Sequence, residues 1–515
     1  IATIVSAIVS NNALQKSQDR LTKSIARLSS GYKINSSSDD AAGYAISEKM
    51  RLQLRGLNQA DNNAADGVSV LHTAEGAMEE IQSMLARMKE LSVQAANGTN
   101  SVDERSAIQS EIDSLNSEID RISSNTEFNS QTLISGNLSR RVYSNYEGVN
   151  QIEVSDNFVA GNYGITITQD ARQAIVVGNG AVTMSDTATV TKEQAGTISM
   201  NGYGIEISEG DTLAGIMGKL VDGADKIGGR VFAITAGATN DTKANGTDYA
   251  GYEPQTSYAG NNIVFMTKES GSSKTMNITC SNAELANMLG IATAATDGGM
   301  YAEGSDVQAE FTLDNDGKRV GFADSAVIST SGTRVTVKDV NNRTFVTDVP
   351  SNVAGTKFSD TAKADDKSTA TSTQTAKVTQ EVTDVGTMSV HVGANENQVI
   401  LIDIPAVTSY TLGTENLNVM TSVTASEAID TIDTAVAYAN RVRSQMGAYE
   451  NRFEHTTNNL GTASENLTSA ISTMTDTDMA EEMTEYTSLN VMTQAATSIL
   501  AQANERPSTV LQILQ

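Results

Sequence analysis

Cysteine and histidine, the side chains that most often carry catalysis or bind metals, are scarce in this 515-residue chain. There is one cysteine, Cys280, and there are three histidines, His72, His391 and His455. A single cysteine cannot form a disulfide within the chain or build a cysteine-based zinc cluster. The histidines lie far apart in sequence, and none belongs to the H-E-x-x-H pair of zinc peptidases. We therefore predict that the protein is not an enzyme and needs no cofactor or metal.

The net charge of the chain limits the kinds of partner that it can bind. Asp and Glu number 62 against 35 Lys and Arg, which gives a formal net charge of −27. Phosphate binding needs clustered basic residues, so we expect no nucleic-acid partner. No apolar run approaches the ~18 residues of a membrane span, and we expect no membrane insertion. Residues 1–9 are apolar but lack the basic start and cleavage site of a signal peptide, so they are expected to begin a helix.

Composition divides the chain into three parts. Residues 1–140 hold 7 of the 39 glycines and residues 421–515 hold 2, whereas the middle holds 30. Sixteen of the 23 phenylalanines and tyrosines also lie in that middle. Glycine, aromatic residues and Val/Ile/Thr alternation are typical of strands and turns. We therefore predict a β-rich middle between two helical flanks.

Apolar residues in both flanks recur with the spacing of packed helices. A seven-residue repeat starts at Met50 and runs to Leu85, a second runs from Ile432 to Met474, and Ile108 to Ile122 step 4-3-4-3. The first and last segments carry weaker stripes. The residues we expect to mediate helix packing and polymerisation are Leu14, Leu21, Leu28, Met50, Leu57, Leu71, Met78, Leu85, Met446, Phe453, Leu460, Leu467, Ile499 and Leu500.

Capping signals set the expected helix limits. Ser101-x-x-Glu104 and Thr424-x-x-Glu427 read as capping boxes, and Asp478 precedes another helix. A helix over 424–475 is a rod of roughly 75 Å, which must bury its stripe against another helix. Polar residues between the stripe positions, including Arg443 and Ser464, indicate either contacts between subunits or solvated faces. We predict a multidomain α+β, hairpin-like molecule: mainly α at both ends, with coiled-coil-like helical rods, and an inserted β-rich middle.

Motifs in both flanks resemble one family in the order in which that family carries them. Leu28-Ser-Ser-Gly-Tyr-Lys-Ile-Asn35 followed by Asp39-Asp-Ala-Ala-Gly43 resembles the start signature of bacterial flagellins. Glu90-Leu-Ser-Val-Gln-Ala-Ala-Asn97 continues the resemblance, and Ile499-Leu-Ala-Gln-Ala-Asn504 is similar to the family's C-terminus. Val392-Gly-Ala-Asn395 with Ile400 to Ile404 resembles the short β-hairpin that flagellins carry beside their helical rods. Within the middle, Gly202 to Phe232 resembles a small insertion motif.

The resemblance implies a structural subunit that self-assembles into the extracellular flagellar filament for swimming motility. Residues 1–40 plus 476–515 would form an inner tube, and 41–140 plus 386–475 an outer tube with a short β-hairpin. Residues 141–385 would be a variable, surface-exposed domain. Flagellins leave the cell unfolded through a type III apparatus, and their partners are further copies, the cap and hook-associated proteins and an export chaperone. The alternative is a hook-associated junction protein with the same terminal helices.

A recognition patch is also implied by the resemblance. Arg87, Leu91 and Glu111 match the flagellin positions bound by the vertebrate Toll-like receptor for flagellin. A cation and an apolar group one helical turn apart share a face, and Glu111 can add an anion from a neighbouring helix. The alternative is that Leu91 belongs to the core and Arg87 is only solvated. The middle could likewise be a binding module, or its aromatic residues could simply form a β core.

Overall fold

The fold is taken from a computed structural model, and its described part covers most of the chain. The described residues are 2–155, 158–235, 258–291, 300–314, 316–339, 343–351, 353–354, 357–359, 369–372, 375–383 and 385–513. Among them, no helix is both long enough and apolar enough to cross a membrane.

Long helices occupy both ends of the chain and short ones the middle. The helices are α1 (Ala2–Ser30), α2 (Ala41–Ala96), α3 (Val102–Asn125), α4 (Leu213–Lys226), α5 (Ala283–Leu289), α6 (Ser409–Leu412), α7 (Ser422–Thr475) and α8 (Met479–Ile513). The predicted fold class, helical at both ends with a β-rich middle, is confirmed.

The strands lie between α3 and α6 in the chain, together with α4 and α5. They are β1 (Glu127–Phe128), β2 (Gln131–Thr132), β3 (Val142–Ser144), β4 (Asn150–Val154), β5 (Gly161–Gln169), β6 (Gln173–Val177), β7 (Gly196–Met200), β8 (Tyr203–Ile207), β9 (Gly229–Thr235), β10 (Asn261–Ser270), β11 (Thr275–Cys280), β12 (Met300–Glu303), β13 (Gln308–Phe311), β14 (Val327–Ser331), β15 (Arg334–Lys338), β16 (Thr344–Asp348), β17 (Lys357–Ser359), β18 (Thr369–Ser372), β19 (Ala376–Val382), β20 (Met388–His391) and β21 (Val399–Ile402).

These strands form several small sheets. The larger sheets have the orders β6-β10-β9, β12-β11-β7-β8, β13-β5-β19-β3 and β14-β15-β16-β4, and β20 pairs with β21. Two hydrophobic cores result. One packs α4 and α5 against strands around Phe265 and Ile278, and the other gathers aromatic rings around Phe345. In the second core the Phe158 and Tyr163 centroids lie 5.2 Å apart, edge to face. The aromatic residues of the middle therefore include core residues, as one of the two sequence interpretations held.

The chain divides into two compact units. The first, here called the terminal unit, comprises Ile1–Val68, Ser389–Ile400 and Glu450–Gln515. The second, the central unit, comprises Ser69–Met388 and Leu401–Tyr449. Helices α2 and α7 supply residues to both units.

Capping explains where several helices begin. The predicted box at α3 is confirmed, because Ser101 Oγ accepts from Glu104 N and the Glu104 side chain accepts from Ser101 N at 2.7 Å. The predicted box at α7 is wrong. Thr421 Oγ1 accepts from Thr424 N at 3.2 Å, and Thr424 Oγ1 accepts from Thr421 N at 3.1 Å. Threonine thus replaces the usual Glu at the third helical position, and α7 begins two residues earlier than predicted.

Candidate functional site

The cysteine and the three histidines, which could carry chemistry, differ in their exposure. Cys280 is 3% exposed, and its thiol donates to the Asn282 carbonyl at 3.3 Å. Burial raises the pKa of the Cys280 thiol, which lowers its reactivity as a nucleophile. His72, His391 and His455 are all exposed. The helix surfaces that the apolar repeats predicted are the stronger candidates for function.

In the terminal unit, α1 and α8 pair in opposite directions. Arg20 Nη2 lies 2.9 Å from Glu485 Oε1, and Arg27 Nη1 lies 3.7 Å from Glu482 Oε2. The buried residues along this pair include Ser17, Ser24, Glu482 and Leu489, each less than a tenth exposed. The predicted Leu14, Leu21 and Leu28 are half-buried.

Ser17 and Ser24, which lie between α1 and α8, were not among the predicted packing residues because they are not apolar. A signal was present, since Ser17 and Ser24 each follow a predicted leucine by three residues. Together they complete the 3-4 alternation that a helix uses to face a partner. Small side chains at these positions let α1 and α8 approach closely.

Large apolar side chains remain uncovered on the same two helices. On α8, Val491 is 65% exposed and Ile499, one of the predicted polymerisation residues, is 56% exposed; Leu500 is half-buried. Among the described side chains of these helices, the other large apolar residues that are exposed are Val5, Ile8, Val9, Ile25, Met479, Met483 and Met492. Apolar exposure at this density marks an interaction surface rather than ordinary solvent-facing residues.

The turns that enter α2 and leave α7 are tied together by the backbone. Lys33 N donates to the Thr475 carbonyl at 2.7 Å, and Thr477 N donates to the Gly31 carbonyl at 2.9 Å. Gly31 has φ +77°, a left-handed conformation that ends α1 at little cost for glycine. The family-like motif at 28–43 therefore has a physical role: it closes one helix and fastens the next turn to the other end of the chain.

Carboxylates organise the same turn. Asp39 Oδ2 accepts hydrogen bonds from Asn35 N, Ser36 N and Ser36 Oγ. Burial opposes ionisation, but these bonds outweigh it and lower the pKa of Asp39. Asp40 Oδ1 accepts from Ala42 N and Gly43 N, which caps the start of α2.

In the parts of α2 and α7 that belong to the terminal unit, the predicted row of apolar residues is only partly buried. Phe453 is fully buried against Gly67, where an added Cβ would lie 2.9 Å from its ring, and Leu460 is 7% exposed. Met50, Leu57 and Leu467 are only half-buried. A groove of about 530 Å³ runs beside Leu57, Leu460, Gly461 and Ser464. Ser464 Oγ donates to Asn58 Oδ1 at 3.3 Å, so this polar position bonds within the chain.

In the central unit the stripe is fully buried. Leu71, Met78, Leu85 and Met446 are each 2% exposed or less. Polar contacts line its edges: Gln82 Nε2 donates to Asn440 Oδ1 at 2.8 Å, Arg443 bonds Gln82 and Lys89 pairs with Asp433. Arg443, like Ser464, thus contacts α2 of its own chain rather than only solvent or another subunit.

Arg87 and Glu111 meet on the surface of the central unit. Arg87 Nε donates to Glu111 Oε1 at 2.9 Å, and Arg87 Nη1 donates to Glu90 Oε2 at 3.1 Å. These bonds, with Glu111 first, raise the pKa of Arg87. The side chains of Arg87 and Glu111 are 50% and 45% exposed, whereas Leu91 is 1% exposed. Arg87 and Glu111 are therefore available to a partner, and Leu91 is a core residue.

Comparisons with known proteins point to one family. Family models for the bacterial flagellin N-terminal and C-terminal helical regions match residues 1–139 and 429–514. The flagellin of Clostridium tyrobutyricum is 30% identical over 510 residues, covering 97% of this chain and 98% of that protein. The flagellin of Salmonella typhimurium is 31% identical over 533 residues, covering 99% and 98%.

Solved structures give more distant similarities. FliC from Burkholderia pseudomallei has 14% identity and a TM-score of 0.22, covering 75% of this chain and 99% of that chain. The flagellar junction protein FlgL from Legionella pneumophila has 13% identity and a TM-score of 0.24, covering 79% and 99%. Neither similarity is close enough to carry an argument about this chain.

Proposed function

Because this chain belongs to the bacterial flagellins, structural subunits of the flagellar filament outside the cell, we propose that it polymerises through its paired terminal helices. The observation that carries this proposal is the row of exposed apolar side chains on α1 and α8, including Val491 and Ile499. Full burial of a completely exposed Val or Ile side chain contributes ~1.5–3 kcal/mol, and these partly covered side chains contribute about half of that when neighbouring subunits cover them. Residues 1–40 with 476–515 then form the inner tube of the filament.

The rest of the chain forms the outer layers of the proposed filament. Residues 41–140 with 386–475 form the outer tube, and their half-buried Met50, Leu57 and Leu467 face neighbouring subunits. Residues 141–385 decorate the outside. Two separate hydrophobic cores in that segment support its assignment as an inserted domain with its own stability.

Point variants test the polymerisation surface without unfolding the subunit. Val491→Ser with Ile499→Ser removes two exposed apolar groups, and we expect seeded filament growth to need at least roughly tenfold more monomer. The matched control is Val159→Ser with Val327→Ser, which removes groups 73% and 65% exposed in the central unit. Equal growth of both double variants would refute the proposed surface.

Truncation gives the coarser test of the same proposal. Deletion of residues 1–30 or of 480–515 should leave a folded, soluble monomer that forms no filaments. Filaments of normal length from either truncated chain would contradict the proposal. If the full-length chain forms no filaments alone but joins purified hook ends, the junction-protein alternative replaces it.

We propose further that the chain is exported by the route that the family resemblance implies. An export chaperone binds the subunit inside the cell, and the subunit then crosses the envelope unfolded through the type III channel. It is added beneath the cap, on a base of hook-associated proteins. Support comes from the single cysteine, since no intrachain disulfide can lock the fold before export. In a flagellated host, the chain should reach the filament when the export apparatus is intact and remain in the cell when it is not.

The exposed pair Arg87 and Glu111 is proposed to bind the vertebrate Toll-like receptor for flagellin. Both side chains lie at the surface within hydrogen-bonding distance of one another, so a partner meets a cation and an anion together. Leu91 is buried and supports the site by fixing the position of α2. Arginine is one of the side chains enriched at binding hot spots.

Three variants of the monomer test this patch. Arg87→Ala should weaken direct binding and reporter signalling roughly tenfold or more, with unchanged helicity. Leu91→Ala should lower the melting temperature and weaken binding together. Arg121→Ala, which breaks an equally exposed pair with Glu118 on α3, is the control and should bind normally. No binding by the wild-type monomer, or normal binding by Arg87→Ala, would disprove the assignment.

A further inference from the structure

An asparagine followed by glycine lies in the turn between α2 and α3. Asn97 and Gly98 come directly after the last residue of α2, and both are exposed. A glycine after asparagine has no side chain to obstruct attack by its own backbone nitrogen on the asparagine carboxamide. That attack closes a five-membered imide ring, which requires a mobile carboxamide and a free backbone nitrogen.

The turn meets both requirements. In the described part of the chain, the Asn97 carboxamide has a single hydrogen bond, accepted from Thr99 N at 3.3 Å. The Gly98 N–H has no acceptor among the described residues, and a Cβ built on Gly98 would meet no atom within 4 Å. Both reacting groups are therefore accessible and weakly held.

We propose that Asn97 is a site of spontaneous deamidation. The Gly98 nitrogen loses its proton and bonds to Cγ of Asn97, while the bond from Cγ to the side-chain nitrogen breaks and ammonia leaves. Water then opens the resulting succinimide at either carbonyl and gives an aspartyl or an isoaspartyl residue. No oxidant or reductant takes part, and water is the co-reactant.

Two other Asn-Gly pairs of the described chain are protected, each by a different group. At Asn201 the carboxamide is held at both ends: Nδ2 donates to the Thr275 carbonyl at 2.8 Å, and Oδ1 accepts from Asn277 N at 2.7 Å. At Asn179 the carboxamide is exposed, but the following nitrogen, Gly180 N, donates to the Gly290 carbonyl at 3.4 Å. That Gly180 peptide is also packed against Gly290, where an added Cβ would lie 2.0 Å from the Gly180 oxygen.

The reaction changes the contact that holds the turn. Arg105 Nε donates to the Ala95 carbonyl at 2.9 Å, and Arg105 Nη2 donates to the Asn97 carbonyl at 3.0 Å. In the isoaspartyl product the main chain runs through the former side chain and gains one carbon. The oxygen that faces Arg105 then belongs to a free carboxylate. The α2–α3 turn is thereby lengthened, and a neutral contact becomes an ion pair.

The test is prolonged incubation of the full-length monomer at mildly alkaline pH, followed by peptide mapping. Deamidation is read from the mass gained when NH2 is replaced by OH, and isoaspartate from an isoaspartyl methyltransferase assay. We expect Asn97 to react roughly tenfold faster than Asn201. The Asn201 carboxamide must break about one more net hydrogen bond before it reacts, and the higher barrier slows its reaction by about that factor. In concentrated urea the difference should disappear.

Gly98→Ala is the matched variant. It leaves Asn97 in place and has open space for its methyl group, yet it hinders ring closure; we expect its reaction at Asn97 to fall at least several-fold. Equal rates at Asn97 and Asn201 in the folded chain, or an unchanged rate in Gly98→Ala, would overturn the proposal. A difference that persists in urea would also overturn it, because the fold would then not be its cause.

Discussion

Glu153 is a buried carboxylate that faces one cation across two elements of the central unit. It lies on β4 at 7% exposure, and Arg441 on α7 donates to its two oxygens at 2.8 and 2.7 Å. Burial raises the pKa of Glu153 more than Arg441 and Lys338 lower it. Desolvation thus outweighs the attraction, as is common for buried ion pairs.

The sign of this shift predicts a pH dependence. A folded pKa above the ordinary value means that the folded state binds the proton more tightly than the unfolded chain. The stabilisation linked to Glu153 is therefore complete below its ordinary pKa of 4.5 and is lost as pH rises through the raised pKa. Glu153→Gln should gain stability relative to wild type between pH 4.5 and neutrality, as measured by urea unfolding. A constant difference across that range would contradict the assignment.

Removal of the cation should act in the opposite direction. Arg441→Leu leaves the Glu153 carboxylate buried without its partner, which should cost about 1–3 kcal/mol at neutral pH after allowance for the 38% exposure of Arg441. Combination with Glu153→Gln should recover most of that loss. A double-mutant cycle of unfolding free energies measures this coupling, and simple additivity would show that the pair does not interact.

At the scale of the element, the start of α7 depends on two threonines. Thr421→Ala removes the side chain that caps Thr424 N and should cost about 1 kcal/mol, whereas Thr421→Ser retains the hydroxyl and should cost little. Thermal unfolding followed by circular dichroism compares the two variants. Equal melting temperatures for Ala and Ser would show that this box does not stabilise the helix.

The seam of α2 should respond differently in its two halves. Met78 is fully buried in the central unit, so Met78→Ala should cost ~2–5 kcal/mol of unfolding free energy. Leu57 is half-buried beside the groove of the terminal unit, so Leu57→Ala should cost the monomer less and should slow filament growth more. Denaturant unfolding and seeded growth, measured on both variants, separate the two roles. A larger stability loss for Leu57→Ala would reverse this assignment.

Local patterns explain why the helices were predictable and other features were not. A seven-residue apolar repeat and a Ser–Glu capping box can both be recognised from neighbouring positions. The repeat correctly predicted α2, and the box correctly predicted the start of α3. The α7 cap was missed because a threonine hydroxyl can replace the Glu carboxylate at the third position. The Arg441–Glu153 pair joins positions 288 apart, and sheet order such as β6-β10-β9 also depends on distant pairing. No local pattern contains such information.

At the scale of the molecule, the inserted middle should be separable from filament formation. Replacement of residues 145–385 by a short linker removes both middle cores together with α4 and α5, but leaves the long helices of both flanks and the exposed residues of α1 and α8. We expect the shortened chain to keep its helical circular dichroism and to form filaments, although Arg441 loses its partner. Loss of helicity on replacement would show that the middle is required for the helical fold.

The ion pair between Arg20 and Glu485 joins positions 465 apart, near opposite ends of the chain. A ribosome that stops early produces a copy with α1 but without α8. In such a copy Leu14, Leu21 and Leu28 lose the helix that half-covers them, and the turn at Gly31 loses Thr477. Prematurely terminated copies therefore cannot complete the polymerisation surface that we propose. If the filament forms as we propose, the requirement for both terminal helices excludes incomplete translation products from it.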